Sequence, residues 1–311
     1  MEEKSRLQKI LDYYNENYNC LTFTMPLEKS YIDTKQPGIC RFCGRDESQV
    51  TFKNIAHAIP EFFGNKTLLT ACECDECNKK FGIGGGIEDN LAKLLSIYRT
   101  AGFVKGKNGL PSFKNKKGDL RIDPQENLIN LDCNKDYINI DKLNKYFTIT
   151  TETPKFIPLL AYKAFLKIAL SIMPDEELVW FKSLINFVNT DELKATALCH
   201  VMQTTTSGYK PYSTIQNLLF IRKNDKIMQP YMYYVLMFGN LLYQVVVPST
   251  IKDKELFKQN LTVKWVPFPS PYCISSEFKS STQKVDLSGT EPVNIPVSVR
   301  FRYENIEISS N

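Results

Sequence analysis

Two cysteine pairs of identical spacing constrain this chain more than any other feature. Cys40 and Cys43 form one CxxC pair, and Cys74 and Cys77 form the other, with 30 residues between the pairs. A two-residue spacer lets both sulfurs of a pair reach one ion, and two such pairs complete a tetrahedral four-sulfur shell. The spacing therefore predicts a structural zinc site. Cys72 could replace Cys74, but the repeated CxxC spacing favours Cys74, and burial of the cysteines as small apolar residues is the alternative.

The composition is that of a folded protein. Of 311 residues, 43% are hydrophobic and 23% are charged, which is enough apolar surface to offset the entropy of the chain. The first 18 residues carry acids where a secretory signal peptide carries bases, so we expect a cytoplasmic protein whose grouped cysteines bind metal. The net charge of +5 is too small to indicate a nucleic-acid partner by itself.

The second half of the chain has the pattern of an α+β domain. A core helix is predicted from Pro158, where LLAYKAFLKIAL is apolar nearly all round, and a second helical pattern covers residues 175–188. Beyond about Asn217 the pattern is that of strands in an antiparallel sheet. The stretch 227–251 is uncharged, and its central Gly-Asn predicts a buried hairpin, so we expect no membrane association.

The segment between the cysteine pairs contains IAHAIPEFFGN, in which His57 lies, and Asn78 directly follows the second pair. A His followed by Ala-Ile-Pro, a Gly-Asn turn and an Asn after the second CxxC together resemble the HNH endonuclease family. The resemblance covers about residues 39–95. It implies a ββα-metal nuclease domain that contains the four-cysteine zinc-knuckle site. Without this resemblance, a single His in an apolar context would be interpreted as a core residue.

Phosphodiester hydrolysis requires a base that takes a proton from water and a cation that neutralises the leaving oxygen. A neutral imidazole can supply the first, and Mg²⁺ or another divalent cation held by oxygen ligands can supply the second. The resemblance implies that His57 is the general base and that Asn78 supplies an oxygen to the catalytic metal. It also implies that Asn65 ties down the loop and orients the histidine, although Asn65 could equally be a plain turn residue.

The sequence departs from the family pattern at Ala56. Members commonly carry Asp or His immediately before the base, as a metal ligand. Another carboxylate must complete the metal site, or catalysis is weakened or lost. Glu88 is our first candidate for this ligand and Asp89 is the second. Either acid could instead cap the helix predicted to follow them.

A basic stretch follows the motif. Residues 103–121 hold six Lys or Arg against one Asp and are broken by Gly and Pro, which is typical of an exposed loop or ribbon. Such residues would contact phosphates without sequence preference, although a solvated loop is the alternative. The candidate nucleic-acid contacts are Lys105, Lys107, Lys114, Lys116 and Lys117. The resemblance implies double-stranded DNA as the partner.

We expect three regions along the chain. Residues 1–36 form an N-terminal helix and strand extension, 37–125 form the HNH-type nuclease domain with its basic ribbon, and 126–311 form an α+β domain. The last region would sense, target or dimerise, so a homodimer is one expectation. Nucleases of this organisation resemble components of restriction or antiphage defence. The predicted function is a DNA endonuclease. The alternatives are a zinc-stabilised nucleic-acid-binding protein that does not cut, and a regulator whose C-terminal domain binds a partner.

Overall fold

The computed structural model describes residues 5–82, 84–116, 118–126, 128–195, 198–208, 211–258, 265–269 and 278–307. In the first third of the chain, short strands alternate with helices. In chain order the elements are α1 (Arg6–Asn17), β1 (Tyr18–Thr24), β2 (Ser30–Tyr31), β3 (Ala56–His57), a 3-10 turn (Glu61–Phe63), β4 (Leu68–Thr70), α2 (Asp75–Gly82), α3 (Ile87–Leu94) and α4 (Ser96–Ala101).

The middle and last thirds contain longer strands around a central helix. Their elements are β5 (Phe113–Asn115), β6 (Gly118–Asp123), β7 (Leu128–Cys133), a 3-10 turn (Lys135–Tyr137), β8 (Ile138–Asp141), β9 (Tyr146–Glu152), α5 (Pro158–Ile172), α6 (Asp175–Leu178), a 3-10 turn (Val179–Phe181), α7 (Lys182–Asn189), β10 (His200–Thr206), β11 (Tyr212–Arg222), β12 (Met232–Gly239), β13 (Leu241–Val247), α8 (Lys254–Lys258), β14 (Ser280–Asp286) and β15 (Pro296–Arg302).

Six of the described strands form one antiparallel sheet in the order β1-β11-β12-β13-β10-β14. The predicted hairpin is confirmed: β12 and β13 pair across a turn at Gly239, and both strands are buried along their whole length. Gly239 has φ +55°, which favours glycine. Strand β1 pairs with β11 from Tyr18 opposite Arg222 to Thr24 opposite Gln216. The N-terminal strand is thus part of the C-terminal sheet.

Helix α5 is the centre of the core. All of its residues except Leu160 are buried, as expected for a helix that is apolar on nearly every face. One hydrophobic cluster contains Phe81 of α2, Leu91 of α3 and Phe165 of α5, together with Tyr243 of β13. The Phe165 and Tyr243 rings are 5.0 Å apart. The division into residues 1–36, 37–125 and 126–311 stays a prediction, and the core contacts cross the boundaries.

The second predicted helix is interrupted. Residues 175–188 form α6, a 3-10 turn and α7 instead of one continuous helix. The hydroxyl of Ser249 donates a hydrogen bond of 2.7 Å to the carbonyl oxygen of Trp180. A continuous helix would use that carbonyl internally, so the tertiary contact is consistent with the break. Among the described helices, none is long and apolar enough to cross a membrane.

Smaller sheets complete the mixed α and β structure. Three described strands pair antiparallel in the order β15-β9-β8, and three others in the order β5-β6-β7. Near the cysteines, β3 pairs antiparallel with β4, while β2 pairs parallel with β4 on its other side. Two short antiparallel strands therefore precede α2. The ββα-metal form of this region stays a prediction.

Candidate functional site

The four paired cysteines lie together. The sulfurs of Cys40, Cys43, Cys74 and Cys77 are all within 4.8 Å of one another, and the Cys43 and Cys74 sulfurs are 3.8 Å apart. Tetrahedral zinc with bonds of about 2.3 Å separates its sulfur ligands by about 3.8 Å. The chemistry and the spacing of this donor set therefore fit a zinc ion. In the first knuckle, Gly44 has φ +73° and donates its N–H to the Cys40 carbonyl at 2.8 Å.

Hydrogen-bond donors surround these sulfurs. Arg45 Nε lies 3.4 Å from the Cys43 sulfur, and the Cys74 N–H lies 3.5 Å from the Cys40 sulfur. Hydrogen bonds, above all from Cys77, lower the pKa of Cys40 although burial opposes them. Donors of this kind stabilise a thiolate, which is the form that binds metal.

Cys72 does not contribute to the cluster. Its sulfur donates to Thr34 Oγ1 at 3.2 Å and to the Gln36 carbonyl at 3.5 Å. The cluster of four sulfurs that could hold a metal ion contains Cys74 and not Cys72. The repeated CxxC spacing therefore identifies the residue that lies with the other three.

The knuckles are attached to the end of α5. The Arg41 guanidinium donates hydrogen bonds of 2.6 to 3.0 Å to the carbonyls of Leu170, Ser171 and Met173. It also pairs with Asp175 at 2.7 Å. Carbonyls at a helix C-terminus lack internal partners, so an arginine between the two knuckle cysteines satisfies them. This contact fixes the cluster relative to the core helix.

His57 lies at the end of β3, opposite Leu69 of β4. Its side chain is 21% exposed, and its Nε2 is 3.6 Å from Glu61 Oε1. Burial lowers the pKa of His57. The charges of Lys167 and Lys107 act in the same direction, while Glu61 and Glu88 oppose them. The imidazole is therefore neutral and partly accessible at neutral pH, which are the properties that a general base requires.

Asn65 is fully buried and ties its loop together. Its amide nitrogen donates to the carbonyls of Ile59 and Leu68 at 2.7 and 2.8 Å. Its side-chain oxygen accepts the N–H groups of Thr67 and Leu68 at 3.1 and 2.9 Å. These bonds hold the loop that connects β3 to β4, although the orientation of His57 by Asn65 stays a prediction.

Asn78 lies in the first half of α2 and lines a surface depression of about 390 Å³. Gly82 lines the same depression, and an ideal Cβ placed on Gly82 would be 3.8 Å from Glu88 Oε2. Gly82 thus borders both the depression of Asn78 and the carboxylate of Glu88. The charge of Glu88 also acts on the pKa of His57. Convergence of Asn78 with His57 and Glu88 on one metal ion stays a prediction.

Glu88 is held by a buried lysine that the sequence interpretation did not assign to the site. Lys167 of α5 lies 3.0 Å from Glu88 Oε1 and 2.8 Å from Glu73 Oε2. Burial lowers the pKa of Lys167, but the two carboxylates outweigh it and raise that pKa overall. Burial raises the pKa of Glu73 to about 7. Among the described residues, Glu73 Oε1 has no hydrogen-bond partner.

Glu73 was missed, although the sequence carries a signal for it. Lys167 lies, with Lys163, in a helix that is otherwise nearly all apolar, and a buried lysine requires a partner, either an anion or several hydrogen-bond acceptors. The acid between Cys72 and Cys74 is such a partner. Asp89, our second metal candidate, accepts the Gly85 N–H at 2.8 Å and pairs with Lys93 at 2.8 Å, so its carboxylate is engaged at the start of α3.

The basic stretch contains exposed lysines beside the motif. Lys107 lies 3.8 Å from Glu61 Oε2, and Lys114 pairs with Asp119 at 3.4 Å across the β5-β6 ribbon. Lys105 and Lys116 are also exposed. Lys117 lies outside the described residues.

Ala56 is the residue before the histidine, and it is 1% exposed. A buried methyl group offers no metal ligand at this position. The carboxylates that act on His57 are instead Glu61, in the turn that follows β3, and Glu88 of α3.

Residues 40–84 match a family described as HNH endonuclease. The matched segment begins at the first knuckle cysteine and ends just beyond α2, so it contains the thiolate cluster, His57, Asn65 and Asn78. No curated protein and no solved structure matches the chain. The resemblance predicted for this part of the sequence is confirmed. The N-terminal part of the chain is thus similar to the HNH endonucleases, which indicates nuclease activity, that is, hydrolysis of nucleic acid.

Proposed function

We propose that this chain is a metal-dependent endonuclease that hydrolyses the phosphodiester bonds of double-stranded DNA. The proposal rests on the exposure, the pKa and the position of His57. This histidine is partly exposed, its pKa is lowered by burial, and it lies in the segment that matches HNH endonucleases, within electrostatic reach of Glu88. A neutral imidazole beside oxygen donors has the composition of a hydrolytic site.

In the proposed reaction, His57 takes a proton from the attacking water. Glu61 lies 3.6 Å from the Nε2 atom, so its carboxylate would stabilise the imidazolium that forms. Asn65 supports this step indirectly, because its four hydrogen bonds hold the loop that follows the histidine. His57 is the catalytic residue, and Asn65 is a positioning residue.

Asn78 and Glu88 would hold the catalytic cation. When bound, Mg²⁺ or another divalent cation would neutralise the charge that develops on the leaving oxygen. The Oε1 atom of Glu88 contacts the Lys167 amine. The Oε2 atom lies near Gly82 and would be the oxygen that binds the metal. Oxygen donors are the ligands that Mg²⁺ prefers. We assign zinc to the four-cysteine cluster, where it is structural because no open coordination position remains.

The lysines of the basic stretch supply the DNA contacts in this proposal. Lys105, Lys107, Lys114, Lys116 and Lys117 would neutralise phosphates without reading sequence. Lys107 lies beside Glu61, so its contact would be next to the reacting phosphodiester. A homodimer, cytoplasmic location and a role in restriction or antiphage defence stay predictions.

A plasmid assay with a matched histidine pair tests the proposal. The chain has two histidines, and His200 of β10 is 31% exposed and pairs with Asp286 at 3.2 Å. Zinc-loaded protein should nick supercoiled plasmid when Mg²⁺ or Mn²⁺ is added, and His57→Ala should lose about 10²-fold or more in rate. His200→Ala should cut at the rate of the unmodified protein. Equal cutting by both variants would remove His57 from the mechanism.

The second candidate is a zinc-stabilised protein that binds nucleic acid without cutting it. The buried methyl group of Ala56 favours this candidate, because it removes the ligand that family members commonly carry. The same assay separates the two functions when DNA binding is measured beside cutting. Binding by the unmodified protein without cleavage under any divalent cation would establish the non-cutting function.

A further inference from the structure

Arg99 is a partly buried cation near the end of α4. Its Nε atom is buried, and no described residue accepts a hydrogen bond from it. Within the described part of the chain, no carboxylate lies within ion-pair distance of its guanidinium. Burial lowers the pKa of Arg99 to about 10, so the side chain remains charged at neutral pH. A buried charge of this kind costs stability unless an anion compensates it.

Two neighbouring loops border the guanidinium. The Arg99 guanidinium carbon lies 5.2 Å from the centre of the Phe62 ring. An ideal Cβ on Gly106 would lie 2.9 Å from Arg99 Nη2 and 3.6 Å from the Phe62 Cα. Gly106 is held by a hydrogen bond of 2.8 Å from its N–H to the Gly109 carbonyl. The absence of a side chain at residue 106 therefore leaves room for the Arg99 guanidinium.

The same two loops carry the histidine's partner and the exposed lysines. The turn that contains Phe62 begins with Glu61, the partner of His57. The Lys105 carbonyl oxygen would be 2.6 Å from an ideal Cβ on Gly64, so the basic loop packs directly on this turn. Glu61 is the carboxylate of the turn, and it lies within ion-pair distance of His57 and Lys107.

We propose that Arg99 binds a backbone phosphate of the nucleic-acid substrate, at a site formed by the 61–64 turn and the 105–109 loop. The inference rests on the proposed function only in taking nucleic acid as the ligand. A guanidinium presents a planar set of donors that matches two phosphate oxygens. Lys105 and Lys107, exposed on the adjoining loop, would add to the attraction of the site for a phosphate.

Binding is best measured without cleavage, in the His57→Ala protein loaded with zinc. Affinity for a labelled DNA duplex, followed by fluorescence anisotropy at several salt concentrations, should fall about tenfold when Arg99→Met is added. The slope of log affinity against log salt should fall by about 1, because one phosphate contact is lost. Arg300→Met removes an equal charge from exposed β15 and should change affinity less than about threefold.

Thermal unfolding separates phosphate binding from a packing role. Arg99→Met should keep or raise the melting temperature, because methionine retains the apolar stem while the uncompensated charge is removed. Arg222→Met should lower it, because Arg222 pairs with Asp225 at 2.5 Å and with Asp253 at 3.9 Å. Inorganic pyrophosphate should raise the melting temperature of the parent protein more than that of Arg99→Met.

Equal duplex affinity with and without Arg99→Met would overturn the inference, as would a lowered melting temperature together with an unchanged salt slope. DNA cutting by the protein with His57 intact would, in that case, leave the nuclease proposal standing. If DNA binding depends on Arg99 but the protein with His57 intact does not cut DNA, the phosphate site is supported and the nuclease proposal is contradicted.

Discussion

The Lys167 amine and the Glu73 carboxylate form an ion pair of 2.8 Å, and their side chains are 1% and 0% exposed. Glu73 lies between Cys72 and Cys74, so the pair joins the cysteine segment to the core helix α5. Lys167 also holds Glu88, at 3.0 Å. One buried amine therefore connects the zinc-knuckle region, the proposed metal ligand and the centre of the core.

Replacing Lys167 by Met should destabilise the protein strongly. The change leaves Glu73 buried without its cation, and breaking a buried pair in this way costs about 3 to 5 kcal/mol. Lys163→Met is the matched control, one helical turn away on the same helix. The Lys163 amine donates to the carbonyls of Thr190 and Glu192 at 2.8 and 3.0 Å. Its replacement therefore leaves no buried carboxylate without a cation. Urea unfolding measures both free energies.

The double variant Glu73→Gln/Lys167→Met extends this test. Removal of both charges should recover part of the stability lost in Lys167→Met, because no buried ion then remains without its partner in the pair. Equal losses of unfolding free energy in Lys167→Met and Lys163→Met would show that the ion pair adds no stability beyond that of a buried lysine bonded to carbonyls.

Loss of one cluster cysteine should release the zinc. Cys43→Ala removes one sulfur of the four-cysteine cluster, so bound zinc, measured by atomic absorption, should fall and the melting temperature should drop sharply. Cys72→Ala removes a buried sulfur outside the cluster and should keep the zinc, at a cost of about 1 kcal/mol. Full zinc content in Cys43→Ala would contradict the proposed metal site.

Activity should depend on pH through His57. The neutral imidazole is the active form and burial lowers its pKa from 6.5, so kcat/KM should fall as pH decreases, with an inflection below 6.5. Glu61 raises the pKa of His57, and Glu61→Gln should therefore move the inflection to still lower pH. An inflection at the same pH in Glu61→Gln would show that Glu61 does not affect the pKa of the general base.

Asn65→Ala should cost about 3 kcal/mol of unfolding free energy, because four buried hydrogen bonds of about 1 kcal/mol each are lost and part of the cost is recovered by relaxation. Asn54→Ala is the control, since its exposed side chain makes a single hydrogen bond of 3.1 Å to Asp75. It should cost less than about 1 kcal/mol. A plain turn role for Asn65 would make the two costs similar.

The features that sequence predicted well are local. The CxxC pairs identified four sulfurs that lie together, since a two-residue spacer by itself brings both sulfurs of a pair to one ion. The apolar run from Pro158 indicated a buried helix, and the Gly-Asn turn indicated the β12-β13 hairpin. In each case, the residues that determine the structure are close neighbours along the chain.

The remaining relationships join residues that are far apart along the chain. Strand β1 pairs with β11, Lys167 pairs with Glu73, and Arg99 packs beside two loops with no ion-pair partner among the described residues. Periodicity shows that a strand or a buried charge needs a partner but does not name it, because many segments offer the same backbone donors or carboxylates. Sequence alone therefore determined the metal-binding motif and the type of its neighbouring elements. Only packing around α5 decided which distant side chains would complete the site, since burial makes one pairing favourable and excludes the others.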